Sequence, residues 1–173
     1  MGIYSGAGDT GKTITLSGQT VSKNSCLIHL LGTVDELNSH LGLIKAMLAD
    51  TDAWQSGFRF VESIQKNLMK LMSHVSDEKE SKYFFSQNDV TNLEKEIDTL
   101  TERFPKSVKF VIPGTNIIEA QIQIARTVAR RTERLFTSAA EQHPLCPNAG
   151  AYLNRLSDYL FVLSQQESLI NIK

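Results

Sequence analysis

Four groups of residues have the types and spacing that chemistry needs. The first is Ser5-Gly6-Ala7-Gly8-Asp9-Thr10-Gly11-Lys12-Thr13. Closely spaced glycines let backbone amides converge on an anion, and Lys12 adds a positive charge beside them. From Gly6 the letters also spell G-x-x-x-x-G-K-[ST], the loop that cradles phosphate in strand–loop–helix nucleotidases. That loop works because a helix N-terminus follows it. Here Ile14-Thr15-Leu16-Ser17-Gly18 reads as extended chain ending at a glycine. A conventional P-loop fold is therefore disfavoured, and the segment is either an anion-binding loop or a flexible lead-in.

The second group is Arg126, Arg130 and Arg134, one helical turn apart, with Arg131 and Glu133 beside them. At about 100° per residue the three form a stripe. Such a run is commonly a solvated, Glu-paired face. It equally suits a polyphosphate, because guanidinium forks match phosphate oxygens. Third, Asp35 and Glu36 precede Asn38; they either complement a helix dipole or orient an arginine or a metal ion. Fourth, Asn154-Arg155-Leu156-Ser157-Asp158-Tyr159 places Asn154 and Asp158 one turn apart on one side. His29, His40, His74 and His143 share no metal-ligand spacing and read as surface or satisfied core residues.

The elements that must position these groups are mostly helices. Residues 1 to about 31 are rich in Gly, Ser and Thr without a sustained 3.6-residue period, so an ordered loop or small hairpin is expected. Thr33 and Glu36 spell a capping box, which predicts a first helix from Thr33 with Val34, Leu37, Leu41, Ile44 and Leu48 on one face. A second helix is predicted from about Ala53 to Ser76, striped by Phe58, Val61, Ile64, Leu68, Leu71 and Met72. A third follows from about Asn88 to Arg103 on Val90, Leu93, Ile97 and Leu100. Lys109 to Gly114 then reads as an extended connection. The fourth (about Asn116 to Gln142) and fifth (about Asn148 to Asn171) are separated by Pro144 and Pro147, and Asn154 falls in the early part of the fifth. The expected fold class is all-α, an antiparallel five-helix bundle behind an irregular N-terminal segment, in one domain over 1–173.

Composition narrows the function classes. With 18 Lys+Arg against 19 Asp+Glu the net charge is −1, which gives no basic surface for nucleic acid or anionic membrane. Any anion site is local. The two cysteines, Cys26 and Cys146, are too far apart in sequence to form a ligand cluster or a disulfide scaffold, which points to a reducing cytoplasm. Met1 to Ser5 begins neither a signal peptide nor a myristoylation signal, and no run approaches the ~20 apolar residues of a membrane span.

Taken in order, the segments resemble the ATP:cob(I)alamin adenosyltransferases of the propanediol-utilisation type. The resemblance lies in Ile3-Tyr4 with Gly8-Asp9, Gly11 and Thr13; in Gly32-Thr33-Val34-Asp35-Glu36-Leu37-Asn38-Ser39; and in Phe110-Val111-Ile112-Pro113-Gly114. Its two most specific motifs are Ala125-Arg126-Thr127-Val128-Ala129-Arg130-Arg131-Thr132-Glu133-Arg134 and Asn154-Arg155-Leu156-Ser157-Asp158-Tyr159-Leu160-Phe161. The resemblance implies a homotrimer with active sites between subunits, in which a Co(I) corrinoid attacks the 5′ carbon of ATP and releases triphosphate. It implies that Ser5, Gly6, Gly8, Asp9, Gly11, Lys12 and Thr13 form the ATP loop, with Lys23, Arg126, Arg130, Glu133 and Asn154 completing the nucleotide site. Magnesium would be held mainly by ATP. Arg126, Arg130 and Asp35 would act in catalysis, Asp35 pairing with Arg126 across the subunit interface. Phe110 and Phe161 would line the cobalamin side. A reductase and an adenosylcobalamin-dependent enzyme are the implied partners.

The sequence departs from that family chiefly in the loop, where Ser5, Gly6, Ala7 and Thr10 stand in place of the usual basic and hydroxyl residues and Lys12 supplies one displaced cation. Gln165 stands where an arginine is common, and Thr115 where a second glycine is. The altered loop keeps a second function class open: a non-catalytic trimeric bundle that binds cobalamin or nucleotide.

Overall fold

The computed structural model describes residues 4, 6–48, 55–102 and 112–170. A two-stranded hairpin leads into five helices. Strands β1 (Lys12–Ile14) and β2 (Thr20–Ser22) pair antiparallel with Thr13 opposite Val21. Thr15 fastens the connecting turn: its hydroxyl accepts from the Gln19 N–H at 3.2 Å, and its own N–H donates to the Gln19 carbonyl at 2.9 Å.

Helix α1 (Cys26–Leu48) begins two turns before Thr33, so the predicted capping box is not one. The Thr33 hydroxyl donates back to the His29 carbonyl at 2.9 Å, inside the helix, and Glu36 bonds Arg131 instead of a backbone amide. The cause is burial. Leu27 and Leu30 extend the buried stripe of Val34, Leu37, Leu41, Ile44 and Leu48. Burying a leucine is worth about 1.5–3 kcal/mol, more than the ~1 kcal/mol by which Gly32 disfavours a helix interior. Asp35 and Glu36 therefore sit mid-helix and do not serve as dipole-facing residues at a start.

Helix α2 (Gln55–Ser76) buries Val61, Ile64, Leu68, Leu71 and Val75, with Met72 packed at the edge of the core. The predicted start at Ala53 and the Phe58 side chain lie outside what is described. The N–H of Ser17 donates to the Ser76 carbonyl at 3.2 Å, which docks the hairpin on the end of α2. Helix α3 (Gln87–Thr101) is capped reciprocally by Ser86 and Asp89, and Lys70 of α2 reaches the same carboxylate at 3.1 Å. Its predicted end at Arg103 lies outside the described residues. Helix α4 (Ile117–Ala140) is capped by Asn116, whose Oδ1 accepts from the Glu119 N–H at 2.8 Å. Helix α5 (Pro147–Ile170) starts on Pro147, because the first helical position needs no N–H and favours the fixed φ of proline. Asn154 thus lies two turns inside α5.

Helix α4 packs most closely on α5 and α1; α1 also packs on α2, and α3 on α5. The buried apolar side chains form one cluster among these helices. Burial pushes the phenols of Tyr152 and Tyr159 well above their ordinary range, so both stay neutral, and the Tyr152 hydroxyl accepts from Asn67 Nδ2 at 3.2 Å. Among the described residues no helix is long and apolar enough to cross a membrane.

His74, wholly buried at the end of α2, ties that helix to the α4–α5 connection by accepting the Cys146 N–H on Nε2 at 2.8 Å. Its ring stands edge-on to Phe84 at 5.1 Å. Nδ1 must carry the proton, and a second proton on Nε2 would oppose the Cys146 N–H. Burial holds the imidazole below its ordinary pKa of 6.5, against the upward pull of Glu78. The unfolded chain therefore takes up a proton at a higher pH than the fold does, so this stability is complete above the unfolded value and is lost as pH falls toward the folded one. The urea midpoint should drop between about pH 7.5 and about pH 5.5, and His74→Gln should flatten that drop. An equally steep profile in the variant would assign the acid sensitivity to other groups.

Candidate active site

The arginine stripe lies on α4 opposite its apolar face. Ile122, Ala125, Ala129 and Phe136 are buried, Arg126 is half-buried, and Arg130 and Arg134 are exposed. Charges one turn apart, ~6 Å, repel by roughly 1–3 kcal/mol depending on solvent exposure. A Glu-paired face would relieve this, and the structure shows no such pairing. Among the described residues Arg130 and Arg134 make no ion pair, whereas Arg131, outside the stripe, takes Glu36. Glu133 is turned to Asn154, accepting from its Nδ2 at 2.8 Å. The stripe is thus a row of cations with its nearest acid engaged elsewhere.

Asn154 is held from both ends. Its Oδ1 accepts from Arg155 Nη1 at 2.9 Å, and Arg155 Nε donates to Glu94 of α3 at 3.0 Å. With its carbonyl oxygen and one N–H engaged, Asn154 retains a single N–H for a ligand. Asp158, one turn on, is exposed and reaches only the rim of Arg155 at 4.0 Å.

The glycine loop runs directly into β1, so a strand occupies the place where a P-loop has its helix. It is also partly self-satisfied. The Asp9 N–H donates to the Gly6 carbonyl at 3.1 Å, and the Gly11 N–H to that of Gly8 at 3.3 Å. Two of the amides expected to face an anion are therefore turned inward. What the loop does present is charge: Lys23 arches over Gly8, where a Cβ would stand 2.8 Å from Nζ, so a larger residue at position 8 would push the flexible lysine end aside. Lys12 and Thr13 line an open cleft of about 440 Å³ with Ala7, Gly8, Thr10, Ile14 and Thr20. Ser5 lies outside the described residues. Among the described residues no hydrogen bond or ion pair joins Arg126, Arg130 or Arg134 to this loop.

Asp35 is exposed on α1, and its carboxylate has no bond to Arg126 within the chain. Phe161 is half-buried on α5, whereas Phe110 lies outside the described residues. The turn after Phe110 is fixed by a residue that sequence reasoning missed. Glu119, wholly buried on α4, accepts the N–H of Gly114 at 2.7 Å and of Thr115 at 3.2 Å on one carboxylate oxygen. Gly114 adopts a φ of 112°, which only glycine takes without strain. Gln123 and Ser164 were missed as well: Gln123 Nε2 donates to Ser164 Oγ at 3.0 Å in the α4–α5 interface. The available signal was a glutamine on a face otherwise made of Ile122, Ala125 and Ala129. Among the described residues no three His, Cys, Asp or Glu side chains converge as a metal site.

Comparison with known proteins gives this geometry a family. The cobalamin adenosyltransferase model matches residues 3–167. A corrinoid adenosyltransferase of Bacillus subtilis (strain 168) is 33% identical over 166 residues, covering 95% of this chain and 86% of its own length. Another, from Citrobacter freundii, is 32% identical over 169 residues, covering 95% and 94%. Among solved structures, a phenylalanine-to-alanine variant of the PduO-type ATP:corrinoid adenosyltransferase from Lactobacillus reuteri, complexed with cobalamin and ATP, matches with a TM-score of 0.89 at 29% identity. That match covers 99% of this chain and 96% of the other. The structural class expected from the sequence, a five-helix bundle, agrees with these neighbours. The chain belongs to the cobalamin adenosyltransferase family.

Proposed function

We propose that this protein is an ATP:corrinoid adenosyltransferase that moves the 5′-deoxyadenosyl group of ATP to cob(I)alamin. The observation that carries the reading is the unpaired arginine stripe on α4 in a chain of this family. In the reaction Co(I) donates its electron pair to C5′, the cobalt–carbon bond forms, the C5′–O bond breaks and triphosphate leaves. No side chain acts as nucleophile. The chain's task is to hold ATP with C5′ exposed and to offset charge on the leaving group.

Arg126 and Arg130 would take the triphosphate, with Lys12, Lys23 and Thr13 closing over it from a loop. Gly6, Gly8, Asp9 and Gly11 give that loop its turns, and Ser5 leads into it. Asn154 would donate its remaining N–H to the nucleotide, oriented by Glu133. Because, among the described residues, no bond joins the loop to the stripe or Asp35 to Arg126, we infer that a neighbouring copy completes each site, Asp35 meeting Arg126 across a trimer interface. Exposed Leu43 and Ile124, on α1 and α4, support such an interface. Magnesium enters as the counter-ion of ATP, held on phosphate oxygens, since the described residues offer it no carboxylate cage. Phe161, with Phe110, would face the corrinoid and displace its lower axial ligand. Two free cysteines favour a reducing cytoplasm. A reductase supplying Co(I) and an enzyme using adenosylcobalamin would stand on either side of the reaction.

The inward-turned amides of Asp9 and Gly11 favour one second reading, a bundle that binds nucleotide or cobalamin without transfer. Anaerobic cob(I)alamin mixed with MgATP and the protein separates the two. Growth of the adenosylcobalamin spectrum above a protein-free control is expected, and its absence would overturn the enzyme assignment. Arg130→Ala should lower kcat by about a hundredfold or more with helix content unchanged. Near-normal turnover there would return the stripe to a solvated face. Lys12→Ala should raise the KM for ATP several-fold, roughly 3–10, and weaken its salt dependence. An unaltered KM would show that the displaced lysine does not reach phosphate.

A further inference from the structure

We propose that Gln123 is a positioning residue for the transfer reaction: it fixes the orientation of the Arg126 guanidinium and is itself locked by Ser164. This rests on the adenosyltransferase reading, in which Arg126 meets the triphosphate. Arg126 Nε donates to Gln123 Oε1 at 2.7 Å, and Gln123 Nε2 donates to Ser164 Oγ at 3.0 Å. The serine hydroxyl in turn donates to the Phe161 carbonyl at 2.7 Å. Gln123 is 5% exposed and Ser164 wholly buried, so this relay crosses the α4–α5 interface out of solvent.

The chemistry follows from how a guanidinium divides its donors. Arg126 has five N–H groups, and engaging Nε leaves the two terminal nitrogens to be divided between Asp35 of a neighbouring copy and the triphosphate. A free arginine would sample many rotamers and lose that freedom on meeting ATP. One pinned at Nε has already lost much of it, which favours binding and aligns the charge before the leaving group develops it. Gln123 can do this only if its own amide cannot turn over. Turning it would set Nε2 against the Arg126 N–H and require the Ser164 hydroxyl to leave the Phe161 carbonyl to meet the amide oxygen. The serine therefore decides which end of the amide the arginine sees.

Three variants test the assignment, with MgATP affinity measured by calorimetry without corrinoid and kcat and KM measured for both substrates. Gln123→Met, close in shape but lacking both polar ends, should raise the Kd and KM for ATP together by about tenfold, leaving the KM for cob(I)alamin near wild type. Gln123→Glu keeps the acceptor for Arg126 and adds charge to that bond, while the Ser164 hydroxyl turns to donate to the second carboxylate oxygen, so ATP affinity should stay within about threefold of wild type. Ser164→Ala loosens only the far end, so it should move ATP affinity in the same direction by less, and it serves if Gln123→Met fails to fold. A purely structural role would lower the active fraction, cutting kcat for both substrates with Kd and KM unchanged. That pattern would overturn the inference, as would Gln123→Glu binding ATP as poorly as Gln123→Met. A wild-type protein that binds ATP but forms no adenosylcobalamin would overturn the enzyme reading alone, because the Kd ratios still decide the role of Gln123.

Discussion

Helix α4 has to satisfy two opposite demands at once, and the bundle is arranged around that conflict. One side is apolar and buried between α1 and α5; the other carries Arg126, Arg130 and Arg134, like charges that repel and make no ion pair among the described residues. Repulsion of roughly 1–3 kcal/mol per neighbouring pair is tolerable only because burial of Ile122, Ala125, Val128, Ala129 and Phe136 holds the helix from behind. In the proposed function an incoming polyphosphate would relieve that repulsion. Asn154, Glu133, Arg155 and Glu94 extend the arrangement outward, each oriented by the next through hydrogen bonds of 2.8–3.0 Å.

The loop follows a different principle from a helix-backed phosphate site. A P-loop binds with backbone amides, which are fixed by the fold. Here the hairpin uses some of those amides for its own turns, and the cations available are the flexible side chains of Lys12 and Lys23. In the proposed site, side-chain binding of this kind would be more sensitive to salt and would adapt to what closes over it. The hairpin is anchored on the end of α2 through Ser17 and Ser76.

Much of this was legible in the sequence because it rests on periodicity and residue type. The apolar stripes of α1, α2 and α3, among the described residues, and the arginine spacing on α4 are local signals, and each appears in the fold. The capping-box spelling at Thr33 misled for a physical reason: hydrophobic phase extends back to Leu27, and tertiary burial outweighs a local cap. The functional motifs were readable individually, but not the bonds between them. That Glu133 turns to Asn154, or that Glu119 clamps the turn at Gly114, depends on which helices are neighbours, and spacing along one chain does not encode that.

The Gln123–Ser164 contact has an evolutionary consequence. Ser164 answers the Gln123 amide inside a buried helix interface, and Gln123 in turn answers Arg126, so the two bonds form one chain of dependence. Sequences drifting from this one therefore meet a stronger barrier at Gln123 than at Ser164, and changing both together does not remove it while Arg126 stays. Across descendants Gln123 should persist wherever Arg126 does, with Ser164 freer to vary.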